Sequence, residues 1–295
     1  MRIIAPIPVW RRPDVFLQHL LHVCDWYTPF YILSLEDPEF QQNQALVKMF
    51  GYNYTIADNN PLGKKLNFGI SLLSSQYPDY THIMNLGSDD LVNPELIYLY
   101  AQDFTSDTPF FGISDVYFKE IIGKKRCLYL DKYNDDNCIG ACRVINRRVI
   151  EAMKEQDEPI YTPESQSGLD NNSRLNIKRV LGIDDKVLET EIPYIVDLKS
   201  NTNINPLSMM GAFDNRFQDV REDWLMDFFK KRVPGHISRM LGTPSGFMEL
   251  FYSLSDSFKR QSQTFEFLNN LHYELLGDFK YSDYNSFTVM KNRYK

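Results

Sequence analysis

Two adjacent carboxylates, Asp89 and Asp90, follow an apolar run at residues 82–86 that is typical of a buried strand. Neighbouring like charges repel each other, and burial removes their hydration, unless a cation or solvent meets them. Carboxylate oxygens are also the ligands that hard divalent cations prefer. The pair therefore indicates a cation site at the end of this strand. The alternative for Asp90 is a turn contact ahead of the helix that begins near Pro94.

Polar and aromatic residues also follow the first three predicted strands. These strands are β-branched or aromatic runs, and a helical pattern separates each from the next. The carboxyl ends of parallel strands meet at one edge of a sheet, where ligands bind in α/β proteins. We therefore expect the strand-end residues to gather at the same edge as the carboxylate pair: Pro8, Trp10, Glu36 and Asp58.

The alternation of strands and helices predicts the fold class. Pro13 and the Asn60-Pro61 pair open helices, and Gly51 closes one, which gives βαβ units and a mostly parallel central sheet. Later strands, predicted as antiparallel, follow at 110–117, 125–130 and 139–145, with a last one at 192–196. We predict an α/β domain at residues 1–204. A helical extension is predicted at 205–295.

Composition narrows the protein class. No apolar run approaches the roughly 18–20 residues of a membrane span, and no cleavage site follows the N-terminal run, so we expect a cytoplasmic protein or a peripheral membrane contact. A net charge of −7 argues against a generally basic nucleic-acid binder but leaves room for a local basic groove. No Cys-x-x-Cys pair occurs, so buried free thiols are expected instead of a zinc site: Cys24, Cys127, Cys138 and Cys142.

Four segments in order resemble the GT-A glycosyltransferases, family 2-like enzymes that use sugar nucleotides. The resemblance covers roughly residues 1–200 and implies a Rossmann-like GT-A fold, with a nucleotide-binding half at 1–92 and an acceptor half at 93–204. The segment IIAPIPVWRRPDVFLQHL is similar to the opening strand and Arg-Pro helix of the family. The segment PLGKKLNFGISLL is similar to the family's helix before the metal-binding strand. The segment LGSDDLVNPELI is similar to the family's acidic metal motif, and IGACRVINRRVIEAM is similar to its later small-residue strand and helix.

The resemblance implies a metal-assisted sugar transfer. Such a transfer expels a nucleoside diphosphate, and bound Mn²⁺ or Mg²⁺ stabilises the negative charge on the leaving oxygens. Asp89 would hold the ion, and Asp90 would grip the donor sugar or ribose or share the ion. The family motif is Asp-x-Asp, and this alignment places Gly87 where the first Asp stands. The ribose contact of that missing carboxylate must then come from elsewhere or be lost.

The resemblance also assigns the donor pocket, for which a UDP-sugar is the expected ligand. Pro8 and Trp10 would line the base pocket, and Glu36 or Asp58 would accept a hydrogen bond from the base or ribose. Lys64 would meet the diphosphate at a helix start. After the last strand, Asp197 or Lys199 would complete the metal shell or contact phosphate. The alternatives are simple packing for Trp10 and a solvated face for Lys64.

A catalytic base is expected on the loop after the second group of strands. Asp170 is the candidate that would deprotonate the acceptor hydroxyl, as in an inverting enzyme, and Glu164 is the reserve. The alternative for Asp170 is the N-cap of a helix at 171–181, and both roles are compatible.

Three functions from different classes follow. The first is transfer to an acceptor glycan or glycolipid, and the second is transfer to modified bases of viral DNA in a host cytoplasm. A basic stretch at 228–239, followed by the Phe-Lys-Arg and Phe-Lys-Tyr segments at 258–260 and 279–281, keeps the DNA acceptor open. The third is a nucleotidyltransferase or a non-catalytic nucleotide-binding α/β protein. The segment PIPVWRRP argues against a nucleotidyltransferase because it lacks the Gly-rich loop of that class.

Overall fold

The computed structural model describes residues 1–105, 107–121, 126–132, 137–200, 216–229, 235–243, 245–246 and 249. These residues contain twelve strands and eight helices. The chain forms two compact units, Met1–Phe40 with Tyr52–Arg232, and Gln41–Gly51 with Val233–Lys295. The division predicted at residue 204 stays a prediction.

The first half of the chain alternates strands and helices, as predicted. Apolar and β-branched residues bury the strands, and Pro13 opens the first helix at a position where its missing N–H costs nothing. The elements are β1 (Ile3–Pro8), α1 (Pro13–Leu20), β2 (Tyr27–Leu33), α2 (Phe40–Phe50), β3 (Tyr54–Ile56), α3 (Leu62–Gln76) and β4 (His82–Met84).

A seven-stranded sheet forms the centre of the first unit. Three later strands complete it: β6 (Phe110–Ile113), β9 (Val144–Asn146) and β10 (Lys186–Leu188). The strand order is β10-β6-β9-β4-β1-β2-β3, and only β9 runs antiparallel to its neighbours. The α/β class with a mostly parallel, Rossmann-like central sheet is therefore confirmed.

A second, five-stranded sheet has the order β12-β8-β7-β11-β5. The single strand predicted at 110–117 is wrong, because the chain turns at Ser114-Asp115 and sends its two parts to different sheets. The Asp115 carboxylate holds this turn, accepting hydrogen bonds from Ser114 Oγ (2.9 Å) and the Lys132 N–H (3.1 Å). The strands are β5 (Asp90–Val92), β7 (Val116–Glu120), β8 (Cys127–Leu130), β11 (Ile195–Lys199) and β12 (Gln218–Asp219).

Helices of the first unit pack against both sheets. In one apolar core, side chains of α3 such as Leu66 and Leu73 pack with Ile83 of β4, and a second core joins the five-stranded sheet to Leu225 and Phe229. All four cysteine thiols are buried, as predicted, and none of them is in a disulfide bond. The remaining helices are α4 (Glu95–Asp103), α5 (Arg147–Glu155), α6 (Leu169–Leu181), α7 (Glu222–Phe228) and α8 (Gly235–Leu241).

The described part of the segment 205–295 is mainly helical, with α7 and α8, and this agrees with the predicted helical extension. Residues 230–234 of the predicted basic stretch, and the segments 258–260 and 279–281, lie outside the described residues. Within the described residues, every helix is too short or too polar to cross a membrane.

Candidate active site

One open cleft lies where β1 and β4 end, between the two sheets. Its two compartments measure about 1020 and 1290 Å³, including space open to solvent, and they share Pro8, Asp89 and Lys199 among their lining residues. This position agrees with the expectation for a mostly parallel sheet. Seven of the predicted site residues line the cleft: Pro8, Trp10, Asp89, Asp90, Asp170, Asp197 and Lys199.

The other three predicted donor contacts lie elsewhere. Glu36, Asp58 and Lys64 are exposed, and none of them lines either compartment of the cleft. Their predicted roles remain predictions.

The turn after β4 separates the two carboxylates of the pair. Asp90 already belongs to β5, a strand that the sequence pattern did not predict, and its Oδ2 accepts a hydrogen bond from the Gly87 N–H (2.6 Å). The turn contact expected ahead of the α4 helix is made by Asn93 Oδ1, which accepts the Glu95 N–H at 2.9 Å. A Cβ on Gly87 would lie 2.5 Å from Asp89 Oδ1. Gly87 therefore provides the space that the Asp89 carboxylate occupies.

Arg12 also lines the cleft, although in the sequence it stood out only as part of the Arg-Pro segment of the family resemblance. Its Nη1 lies 2.9 Å from Asp89 Oδ2. Arg11 and Arg12 both adopt left-handed conformations (φ 56° and 54°), which are costly for residues other than glycine. The buried Asp37 carboxylate holds this turn by accepting the Arg11 N–H at 2.7 Å. Burial acts to raise the pKa of Asp89, but the Arg12 and Lys199 cations outweigh it and lower that pKa.

Asp197 and Lys199 lie inside β11, so the strand end predicted at residue 196 is wrong. Asp197 stands opposite Asp90 in the antiparallel pair of β11 and β5, and its Oδ2 lies 2.5 Å from Lys199 Nζ. Lys199 Nζ also lies 5.2 Å from the centre of the Phe118 ring. Burial raises the pKa of Asp197 to about 6, against the opposing effect of Lys199.

The donor chemistry of this cluster fits a hard divalent cation. The cluster supplies carboxylates from Asp89, Asp90 and Asp197, and the buried Oδ1 of Asp197 has no hydrogen-bond partner. Burial and the neighbouring carboxylates of Asp89 and Asp197 raise the pKa of Asp90 well above its usual value, an effect that a bound cation would reverse. In the described part of the chain, no three acidic, His or Cys side chains stand in a ready-made ligand cluster. Arg12 and Lys199 instead pair with two of the carboxylates.

Asp170 lies in the first turn of α6 and lines the same compartment as Asp89. The N-cap is Gly168, in the left-handed conformation at φ 64°, so the alternative role of Asp170 as N-cap is wrong. Burial of the carboxyl raises the pKa of Asp170, although Arg143 and Lys199 oppose the rise. The residue as a whole is exposed, and it lines the cleft.

Arg143 holds the backbone at Asp170. This fully buried guanidinium donates to the Asp170 carbonyl at 2.5 Å and lies 5.3 Å from the centre of the Phe110 ring. The Asp170 carboxylate rests against Gly140, where an added Cβ would lie 1.8 Å from Asp170 Cγ. The small-residue segment of the sequence thus leaves room for the predicted base.

Lys65, and not the exposed Lys64, is the buried cation of the α3 helix start. Its Nζ donates to the Val9 carbonyl (3.0 Å) and to Asn59 Oδ1 (2.9 Å), which joins the turns after β1 and β3. Burial lowers the pKa of Lys65 to about 7, although Asp37 and Glu36 act to raise it. The helical period of α3 contained this signal, because Leu66, Gly69 and Leu73 share the buried face with Lys65.

Comparisons with known proteins do not identify a family for this chain. No family model matches the chain, and no curated protein matches it. Similar solved structures include TarS 1-349 from S. aureus, with 10% identity over 94% of this chain and 73% of that one, at a TM-score of 0.42. The mannosyltransferase PcManGT from Pyrobaculum calidifontis, solved with GDP-Man and Mn²⁺, has 9% identity over 100% of this chain and 81% of that one, at a TM-score of 0.45.

An inositol-1-phosphate CTP transferase from T. maritima is also similar, with 12% identity over 78% of this chain and 97% of that one, at a TM-score of 0.39. The similar structures, all of low identity, thus include both a mannosyltransferase and a CTP transferase. The function is therefore inferred from the residues of this chain.

Proposed function

We propose that the chain is a glycosyltransferase that moves a sugar from a nucleotide-sugar donor to an acceptor hydroxyl. The observation that carries this proposal is the composition of one cleft compartment. It brings Asp89, Asp197 and Lys199 together with Asp170 from a different element, α6. A diphosphate leaving group needs cations, and an acceptor hydroxyl needs a base, so this cleft contains both kinds of group that the reaction requires.

Arg12 and Lys199 are the proposed contacts of the donor diphosphate. Both line the compartment that also contains Pro8 and Trp10, and both already hold a carboxylate oxygen in the geometry of a charge-assisted hydrogen bond. A phosphate oxygen is an equivalent acceptor for these groups. Trp10, half-buried with the Arg11 guanidinium 5.6 Å from its ring centre, would stack on the base of a UDP-sugar.

Asp89 and Asp197 are the proposed ligands of Mn²⁺ or Mg²⁺, and Asp90 stands beside them. The ion, when bound, supplies Lewis-acid stabilisation to the leaving diphosphate. The buried, unpartnered Oδ1 of Asp197 supports this assignment, because a buried oxygen without a partner is costly unless a ligand satisfies it. Arg12 and Lys199 keep the carboxylates ion-paired until phosphate draws these cations away.

Asp170 is the proposed general base. Its carboxylate is exposed to the cleft and its helix start is braced by Arg143, so it can accept a proton from an acceptor hydroxyl without a change of fold. A base that acts on the acceptor implies inversion at the sugar carbon. The proposed acceptor is a glycan or glycolipid; the segments 230–234, 258–260 and 279–281, which left a DNA acceptor open, lie outside the described residues.

A panel of UDP- and GDP-sugars tests the function. Thermal unfolding is followed with Mn²⁺, with Mg²⁺ and with EDTA, and slow donor hydrolysis is measured in parallel. A ligand at 100 times its Kd stabilises the folded protein by about 2.7 kcal/mol, which raises Tm by several degrees for a protein of this size. The matched control is Asp89→Asn, which should lose the metal-dependent part of the shift. The proposal fails if no nucleotide sugar changes Tm or is hydrolysed under any of these conditions.

A further inference from the structure

The strand β7 presents alternate residues to two different surfaces. Val116 and Phe118 line the proposed active-site cleft, whereas Tyr117 points to the opposite face of the five-stranded sheet, as the two-residue period of a strand requires. A second pocket of about 840 Å³, including space open to solvent, lies on that opposite face. It is therefore separate from the cleft, and the donor and base residues do not reach it.

Three aromatic side chains form the wall of this second pocket: Tyr117, Tyr129 and Trp224. Neighbouring rings hold the indole in place. The Phe228 ring stacks on Trp224, with ring centroids 5.5 Å apart and planes inclined by 6°. The Tyr117 ring contacts Trp224 edge-on, with centroids 5.7 Å apart and planes inclined by 71°. Phe229 in turn meets Tyr117 edge-on at 6.3 Å. The aromatic wall is thus rigid before any ligand arrives, which reduces the entropy lost on binding.

Trp224 remains 41% exposed although one of its faces is covered by Phe228. A large ring that is fixed by its neighbours and still open to solvent is a typical feature of a binding surface. Without the space open to solvent, the pocket measures about 440 Å³, a size that small-molecule ligands occupy.

The rim of the pocket is rich in hydrogen-bond acceptors. Glu191 and Asp219 are exposed carboxylates, and Gln218 adds an amide. Arg221 is the rim cation, and it is already paired with Asp223, whose Oδ1 lies 3.1 Å from Arg221 Nε. The rim is therefore acidic and suits a neutral ligand with many hydroxyl donors, whereas a phosphate or sulphate chain would be repelled.

We propose that this aromatic pocket, lined by Tyr117, Tyr129, Trp224 and the polar rim, binds a neutral hexose-containing glycan. The apolar face of a sugar ring would lie on Trp224, and its hydroxyl groups would donate to Glu191 and Asp219. Proline-rich peptides also bind aromatic grooves, but their carbonyl groups need hydrogen-bond donors on the side chains of the protein. Here the Tyr129 hydroxyl already donates to Asp115 Oδ2 at 3.3 Å. The Glu191 and Asp219 carboxylates on the rim only accept hydrogen bonds, and Trp224 supplies a single N–H donor.

The test uses the full chain without any nucleotide. Saturation-transfer NMR and calorimetry are run with three neutral probes, linear hexasaccharides of α-1,4-glucan, β-1,4-glucan and mannan. We expect at least one of them to bind and Trp224→Ala to weaken that binding at least tenfold. Trp224→Phe should retain part of it. The control Trp26→Ala removes another exposed indole, 52% exposed, and should leave binding unchanged.

Because Trp224 contacts the core, a second pair of variants keeps the test decisive. Gln218→Ala and Asp219→Ala alter only exposed rim side chains and should weaken hexasaccharide binding while Tm stays within about one degree of the wild-type value. The proposal is overturned if none of the three probes binds, if Trp224→Ala leaves binding intact, or if a proline-rich peptide binds this pocket in their place. Since no donor is present, these outcomes leave the proposed transferase function untouched.

Discussion

Arg12 and Asp89 form an ion pair of 2.9 Å that links the turn after β1 to the turn after β4. Arg12 contributes a cation to a compartment in which a diphosphate is expected. We predict that Arg12→Asn weakens UDP binding about tenfold to a hundredfold, the usual range for a lost charge-assisted hydrogen bond. Asparagine is chosen because it tolerates the left-handed backbone. Calorimetry with UDP and Mn²⁺ measures the effect.

The same variant should bind Mn²⁺ more tightly in the absence of nucleotide, because Asp89 loses its internal cation. Arg148→Asn is the matched control, since Arg148 pairs with Asp107 at the surface and lines neither compartment of the cleft. Unchanged UDP affinity in Arg12→Asn would contradict the assignment.

Asp170→Asn should lower kcat by about 10²–10⁴, the usual contribution of a general base, without changing UDP affinity. Because the base acts when deprotonated and its pKa is raised, the wild-type rate should fall as pH falls through that raised pKa. The measurement is initial velocity against pH, with Kd for UDP determined in parallel.

The reserve base supplies the comparison for Asp170. Glu164 is exposed and lines neither compartment, so Glu164→Gln should keep the wild-type rate and pH profile. If Glu164→Gln is inactive and Asp170→Asn is active, the base has been assigned to the wrong carboxylate.

Gly140→Ala should resemble Asp170→Asn in its kinetics. The new methyl group would lie within 2.1 Å of all three carboxyl atoms of Asp170 and must displace that side chain. We expect kcat to fall at least tenfold while UDP still binds. Gly182→Ala is the contrasting control, because it meets no atom within 4 Å but has φ +68°. That variant should lose about 1–2 kcal/mol of stability and no activity. Equal kcat values in the two variants would contradict the packing argument.

Lys65→Met should flatten the dependence of stability on pH. The pKa of Lys65 is about 7 in the folded chain and 10.5 as its ordinary value, so between these values the unfolded chain binds more protons. The free energy of unfolding of the wild-type protein should therefore rise with pH in this window, by at most about 1.4 kcal/mol per pH unit. Below pH 7 the full cost of burying the charged Lys65 ammonium is present. Urea unfolding at pH 7 and pH 9 measures the difference.

Lys64→Met is the matched control for that experiment, because Lys64 is the exposed neighbour in the same helix turn. Its stability curve should run parallel to the wild-type curve. Parallel curves for Lys65→Met as well would show that the buried ammonium does not titrate in this window.

Sequence pattern alone determined the mostly parallel sheet and predicted several residues that line the cleft. Strands such as β1 and β2 are long enough to show a strand pattern, and residues that directly follow parallel strands must meet at one edge. Pro8, Trp10 and Asp89 line the cleft for this reason, and their roles in binding stay predictions. Asp170 was placed only through the family resemblance.

Tertiary structure alone decided the details of the site. β5 is three residues long, too short for a periodic pattern, so the placement of Asp90 opposite Asp197 required the paired strand. The Arg12–Asp89 contact spans 77 positions and depends on a left-handed turn held by Asp37. Such contacts depend on which loops the sheet brings together, and local sequence does not encode that choice. The same is true of Trp224, whose ring reaches Tyr117 only because α7 packs against the second sheet.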